Sequence, residues 1–274
     1  MSAIDKDYTH TNDWVFADFT GSWQISEDCI YRNAQKGVVI TAFQPQTYQD
    51  TVVVPSEIDG KPVWGIARTA FKNLACDYGE PIFRNHIQKL IIEEGIEFLD
   101  KGVFQAIDNI HNVLLPHSLK IIGPHCFDTS GIEQISSMNN IQYIGEYAFS
   151  GMWRIEEIEI DGTTECIPHA AFSSCSACSI VIPSLVKDIQ TSAFYGAKIE
   201  YFVIPNGLRK IGMYAFSECS HLKRVSIPSS VRGISDNSFD PPEKNPLLTF
   251  YVYPNSYGLM WARERGYPVK SAEI

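Results

Sequence analysis

Apolar side chains fall along this chain in columns rather than in helical or simple alternating runs. Phe71, Phe104, Phe127, Phe149, Phe172, Phe194, Phe216 and Phe239 each follow a small or apolar residue, most often alanine, and after a first interval of 33 the spacing is 22 or 23. Five positions before each phenylalanine stand Ile66, Leu99, Ile122, Ile144, Ile167, Ile189, Ile211 and Ile234. Eight positions before stand Val63, Ile96, Leu119, Ile141, Thr164, Val186, Leu208 and Val231, with Thr164 alone polar. A fixed period over most of the chain predicts one elongated domain built by stacking, because a single unit buries its apolar residues only against its neighbours.

Within a unit, Val225-Ser226-Ile227 and Ile158-Glu159-Ile160 alternate apolar and polar positions, the pattern of a short strand. Pro116, Pro183, Pro205 and Pro228 recur at the strand's exit, where the missing N–H leaves no ladder bond unmade. Gly123, Gly145 and Gly212 are expected to supply backbone freedom at the next bend. Alanine before phenylalanine is a size constraint that lets aromatic rings pile along the stacking axis. The resulting expectation is a right-handed solenoid of about eight repeats, with a parallel β-sheet on one side and turns or short strands on the other.

The unit Val225-Ser226-Ile227-Pro228, continuing through Val231, Ile234 and Phe239, resembles the BspA-type leucine-rich repeat of bacterial surface and secreted proteins. The lead-in from Pro55 through Gly60 to Val63 resembles that family's opening, and Trp261 through Pro268 its closing segment. The resemblance implies a right-handed leucine-rich-repeat solenoid that binds macromolecules, often host or matrix proteins, with no cofactor and no catalysis. It also implies a surface or secreted location if a signal has been removed, whereas Met1 to His10 lack the basic and apolar regions of a signal, so the chain as written reads as cytoplasmic.

Residues 1–51 are expected to form a β-rich N-terminal cap, with strand-like runs at Gly37 to Phe43 and at Thr51 to Val54 and apolar cover from Trp14, Phe16, Phe19 and Trp23. The solenoid spans 52–253, with an insertion near 73–86 that includes Tyr78. A C-terminal cap follows at 254–274, where Asn255 or Ser256 can start a helix carrying Leu259, Met260 and Trp261 that Gly266 and Pro268 stop.

Composition narrows function by exclusion. The net charge of -10 and the absence of a Lys/Arg run argue against nucleic acid as a partner. No stretch approaches the roughly 18 consecutive apolar residues of a membrane-spanning helix, so membrane insertion is not expected. Seven cysteines are an odd number. Cys175 and Cys219 share one repeat position two coils apart, about 10 Å by coil spacing, which is too far for a disulfide. They and Cys126 read as small core residues, and Cys178, at the position of the following leucine, receives the same reading.

Candidate chemistry is sparse. Cys175 and Cys178 form a lone C-x-x-C without the further ligands zinc needs. His111, His117 and His125 occupy unlike repeat positions and are expected to point to different sides. Glu157 and Glu159 face outward together, but a smooth sheet offers no cleft for paired-carboxylate hydrolysis. The better functional surface is the outward strand face, whose two columns run Lys89, Asn112, Gln134, Glu157, Ser179, Tyr201, Arg224, Thr249 and Ile91, Leu114, Ser136, Glu159, Val181, Val203, Ser226, Tyr251.

The sequence therefore points to a non-catalytic, adhesin-like interaction module needing no cofactor or metal. Its partner, a protein or a glycan and by resemblance a host or matrix protein, is expected at Val181, Tyr201, Val203, Arg224, Tyr251, Glu157 and Glu159, with the inserted loop around Tyr78 as a second contact. The alternative is a hydrolase or thiol enzyme using Cys175 and Cys178 or the Glu157/Glu159 patch. The oligomeric state is left open by the sequence.

Overall fold

A computed structural model describes residues 13–19, 21–27, 29–45, 49–72, 87–136 and 138–272. The inserted segment 73–86, with Tyr78 and Cys76, lies outside the described residues. The chain opens with β1 (Trp14–Phe19), β2 (Ser22–Ser26), β3 (Cys29–Arg32) and β4 (Gly37–Phe43), then β5 (Thr51–Val54), β6 (Glu57–Ile58) and β7 (Lys61–Ile66). Each later coil gives a face strand and a short return strand. These are β8 (Ile87–Ile92) and β9 (Phe98–Leu99), then β10 (Ile110–Leu114) and β11 (Ile121–Ile122), then β12 (Gln134–Ile135) with β13 (Met138–Ile141) and β14 (Tyr143–Ile144). The series continues through β15 (Glu157–Gly162) and β16 (Cys166–Ile167), β17 (Ser179–Val181) and β18 (Asp188–Ile189), β19 (Tyr201–Val203) and β20 (Lys210–Ile211), and β21 (Arg224–Ile227) and β22 (Gly233–Ile234). Strand β23 (Thr249–Val252), helix α1 (Tyr257–Glu264) and β24 (Val269–Ser271) close the chain.

The result is a parallel β-solenoid of about nine turns with little helix. Face strands pair in parallel with Lys89 beside Asn112, Glu157 beside Ser179, and Tyr201 beside Arg224. Return strands form a second parallel ladder that sets Ile122 beside Ile144 and Ile189 beside Ile211. The eight phenylalanines form the spine between the ladders. From Phe71 to Phe239 neighbouring ring centroids lie 4.9 to 5.3 Å apart and the planes stay within 18° of parallel. Each ring is fully or almost fully buried, which is worth about 1.5–3 kcal/mol per side chain in transfer alone.

The backbone beside this spine forms a third ladder. Phe104, Phe127, Phe149, Phe172 and Phe194 each donate an N–H to the carbonyl of the residue before the next phenylalanine, at 2.7 to 2.8 Å. Reaching that geometry requires left-handed residues two before and two after the phenylalanine. His125 (φ 54°), Tyr147 (57°), Ser192 (58°) and Tyr214 (55°) stand before it; Thr129 (55°), Ser174 (55°) and Glu218 (60°) stand after it. Nothing in residue type announces these positions, since most are not the glycine or asparagine such dihedrals favour.

The glycines after the isoleucine column do a different job from the one expected. Gly123, Gly145 and Gly212 are absent from the left-handed glycines. A Cβ at Gly145 would instead sit 2.2 Å from Pro124 N, and one at Gly123 would sit 2.6 Å from the Asp100 carbonyl carbon. Coil-to-coil approach, not backbone freedom, excludes a side chain there.

Both ends of the stack are covered. At the first, β1 pairs antiparallel with β4 and Trp14 packs on Phe43 and Phe71. The hairpin β2–β3 folds over the flank of the return ladder, where Phe19, Ile25 and Tyr31 pack with Phe98 and Ile121. At the other end, Ser256 caps α1 by accepting the Leu259 N–H at 3.2 Å. Buried Trp261 packs on Phe239 and Phe250 and stacks on Tyr267. Strand β24 then pairs in parallel with β23, adding one more row to the strand face.

Candidate functional site

Outward positions on the face strands carry the residues that the stacking does not claim. Alternation puts Ile180, Phe202 and Val225 inside and leaves Val181 52%, Tyr201 59% and Val203 73% exposed. The apolar character of the second column is thus concentrated on β17 and β19; Ile91 is half-buried and Leu114 is only 36% exposed. Around these residues the face turns cationic and aromatic. The Arg224 guanidinium lies 3.7 Å from the Tyr251 ring centroid, and the Lys270 ammonium lies 5.8 Å from the same ring. Lys223 lies 6.0 Å from the Tyr201 ring and pairs with Glu200 at 2.9 Å. A shallow cavity of about 300 Å³ opens between the strands, lined in part by Val203, Arg224, Ser226 and Tyr251.

Toward the middle of the stack the same face becomes acidic. Glu156, Glu157 and Glu159 are exposed. The face here is not the smooth sheet expected from the pattern: a recess of about 570 Å³ is lined by Glu133, Gln134, Ile135, Arg154, Glu156 and Glu157. Arg154 crosses it to Glu133 at 3.2 Å and lies over the exposed Trp153 ring at 4.2 Å. It is an open recess lined by three carboxylates, Glu133, Glu156 and Glu157, and one cation, Arg154.

The C-x-x-C pair is split by the fold. Cys175 is fully buried and burial pushes its thiol up to about 12, which keeps it protonated and unreactive. Cys178, expected in the core, is exposed. The return from Phe172 to the next strand is one residue shorter than that from Phe216, so Ala177 fills the inward place that Leu222 fills two coils later. Cys126 and Cys219 are buried as expected, with the thiol of Cys219 also pushed up to about 12 by burial.

The three sequence-singled histidines do not converge. His111 meets Glu133 at 3.0 Å, His117 meets Glu94 at 2.9 Å, and His125 meets Asp128 at 2.8 Å. Partial burial works against the ionised Glu94, but hydrogen bonds from His117 and Ser118 outweigh it and hold the carboxyl below its usual range. A pairing the sequence reading missed joins Tyr147 to His169 Nε2 at 2.8 Å, while His125 stacks on the Tyr147 ring at 4.8 Å. The 22-residue repeat interval that separates His125 from Tyr147 and Tyr147 from His169 was the available signal. Among the described residues no group of three or more His, Cys, Asp or Glu is placed to hold a metal ion, and no helix is long and apolar enough to cross a membrane.

Two parallel ladders around an aromatic spine, with unclaimed residues on one strand face, define a leucine-rich-repeat solenoid. The chain belongs to the BspA-type leucine-rich repeat family: six copies of the repeat match over residues 71–178 and 144–253. No curated protein matches the sequence. Among solved structures, the chain is similar to a leucine-rich cell surface protein from Faecalibacterium prausnitzii at 15% identity, over 85% of this chain and 76% of that one, with a TM-score of 0.47. A leucine-rich repeat protein from Bacteroides ovatus gives 14% identity over 81% and 68%, with a TM-score of 0.46. The Treponema pallidum leucine-rich repeat protein gives 20% over 97% and 99%, with a TM-score of 0.37. The family's fold is typical of protein-interaction and surface proteins, which are generally non-enzymatic.

Proposed function

We propose that this protein is a non-catalytic interaction module that binds a macromolecular partner, a protein or a glycan, through its outward strand face. The observation that carries this is the exposure of Val181, Tyr201 and Val203 side by side on strands whose inward residues are buried. Stacking needs nothing from these three side chains, and an apolar patch rimmed by Arg224, Tyr251 and the acids Glu157 and Glu159 has the composition of a contact surface. The aromatic and arginine residues are of the types that dominate binding energy in interfaces. The segment around Tyr78 is the second proposed contact, and a host or matrix protein is the partner class that the family resemblance favours.

The test is capture of purified matrix proteins and mucin-type glycans by immobilised protein. Tyr201→Asp combined with Val203→Asp is expected to abolish capture, while Leu114→Asp, on the column of Val203 four coils earlier, leaves it unchanged. Capture that survives the first variant removes the strand face as the binding surface.

A further inference from the structure

The strand face is self-complementary. Glu156 and Glu157 begin one face row, and Lys223 and Arg224 begin another in the same two columns three coils later. Glu157 is beside Ser179 in the ladder, and Tyr201 is beside Arg224. The Glu200 N–H donates to the Cys178 carbonyl at 3.3 Å, which keeps the two intervening rows adjacent. The order along the stacking axis is therefore acidic pair, Ser179 with Val181, Tyr201 with Val203, cationic pair. The acid and base rows are about 14 Å apart at the usual strand spacing.

We infer that a second copy of this chain docks on this face through a two-fold axis parallel to the strands and midway between β17 and β19. That operation keeps position along the strand and reverses order along the stack. It sets Glu157 opposite Arg224 of the other copy, Glu156 opposite Lys223, and Val181 opposite Val203, and each pairing occurs twice because the contact is isologous. Among the described residues no carboxylate forms an ion pair with the Arg224 guanidinium, which lies over the Tyr251 ring and is exposed, and no cation forms one with Glu157. The exposed bond from Lys223 to Glu200 is of the kind that costs little to exchange. The same operation sets Glu159 opposite Ser226 and Ser179 opposite Tyr201, so no like charges meet across these four rows.

The six rows from Gln134 to Tyr251 span a footprint of roughly 500 Å² per copy, or about 1,000 Å² in total, the low end for a specific contact. The dimer is accordingly weak and concentration-dependent, and salt weakens it further because its flanks are exposed ion pairs. This inference rests on the strand face being a contact surface and names its occupant.

Sedimentation velocity on the full chain, from about 5 to about 500 µM at low salt, reads the outcome in the range where contacts of this size assemble. The wild type is expected to shift from its monomer mass of 30.8 kDa toward twice that value. The variant Glu156→Lys/Glu157→Arg and the variant Lys223→Glu/Arg224→Glu should each remain monomeric, because every substituted residue is exposed and each now faces its own sign. Mixed in equal amounts, the two should form a heterodimer, since every opposed pair is again of opposite charge. A wild type that stays monomeric, either variant dimerising alone, or a mixture that fails to associate overturns the proposal. If the chain is monomeric throughout and Tyr201→Asp/Val203→Asp still abolishes capture of another partner, the contact-surface reading stands and only the second copy is removed.

Discussion

Gly145→Ala separates two explanations of the glycine that recurs in the repeat. A Cβ at position 145 would lie 2.2 Å from Pro124 N, 2.5 Å from Pro124 Cα and 2.6 Å from the Gly123 carbonyl carbon, all backbone atoms of the preceding coil. Reaching an ordinary contact of 3.4 Å requires the two coils to part locally by about 1.2 Å. The same two coils hold the Gly145 N–H on the Ile122 carbonyl at 2.8 Å and stack Phe127 on Phe149 at 5.3 Å. Overpacking of this kind costs about 1–3 kcal/mol. Loss of glycine's unfolded-state freedom returns only about 0.4–1 kcal/mol, leaving a net destabilisation of about 2 kcal/mol. Gly233→Ala is the control: its nearest atom is Lys210 Cγ at 3.9 Å and its φ is not left-handed, so it should stabilise by about 0.5 kcal/mol. Urea unfolding followed by far-UV circular dichroism gives both values. A Gly145→Ala protein as stable as the wild type would refute close approach as the reason for glycine there.

Three further outcomes follow from named residues. Thr129→Gly should raise stability by about 1 kcal/mol in the same assay, because a β-branched residue is held at φ 55° on an exposed turn. A maleimide reagent should modify Cys178 in the native protein at once, whereas Cys126, Cys175 and Cys219 should resist until unfolding; mass spectrometry of the labelled peptides tells them apart. Cys175 also sets an alkaline limit. Its folded thiol ionises near 12 against 9.0 unfolded, so the stability it contributes is intact below pH 9.0 and is lost as pH rises from 9.0 toward 12, by about 1.4 kcal/mol per unit. Cys175→Ala should flatten the stability profile by that slope between pH 9 and 11, and an unchanged profile would contradict the burial argument.

The columns were legible because each coil must repeat the positions that touch its neighbours. Phe149, Ile144 and Ile141 lie inside for reasons that the 22-residue period already states. The outward columns could be written down too, since alternation fixes them once one inward residue is known. What escaped were features set by a single residue of length or by dihedral angle. Cys178 moved outward because its coil returns to the strand one residue sooner than the coil of Cys219. The left-handed residues flanking the phenylalanines from Phe104 to Phe216 escaped because Tyr147, Ser192 and Thr129 carry no shared side-chain signal. The recess beside Glu157 and the fold of β2–β3 over Phe98 arise from contacts between coils and cap, which no single repeat encodes. Glu157 and Arg224 already share one outward column in the sequence pattern, and the parallel registers of β15 with β17 and of β19 with β21 put that column on the strand face.

Repetition holds this fold, and contact belongs to the residues that depart from it. Hydroxyl-radical footprinting of the protein, free and bound to a captured matrix protein, tests that division over the whole surface at once. Protection should appear at Tyr201 and Tyr251 on the strand face, with Tyr147, Tyr195 and Tyr214 on the turns beside the phenylalanine spine reacting equally in both states. Protection of Tyr195 and Tyr214 with Tyr201 unchanged would contradict the account.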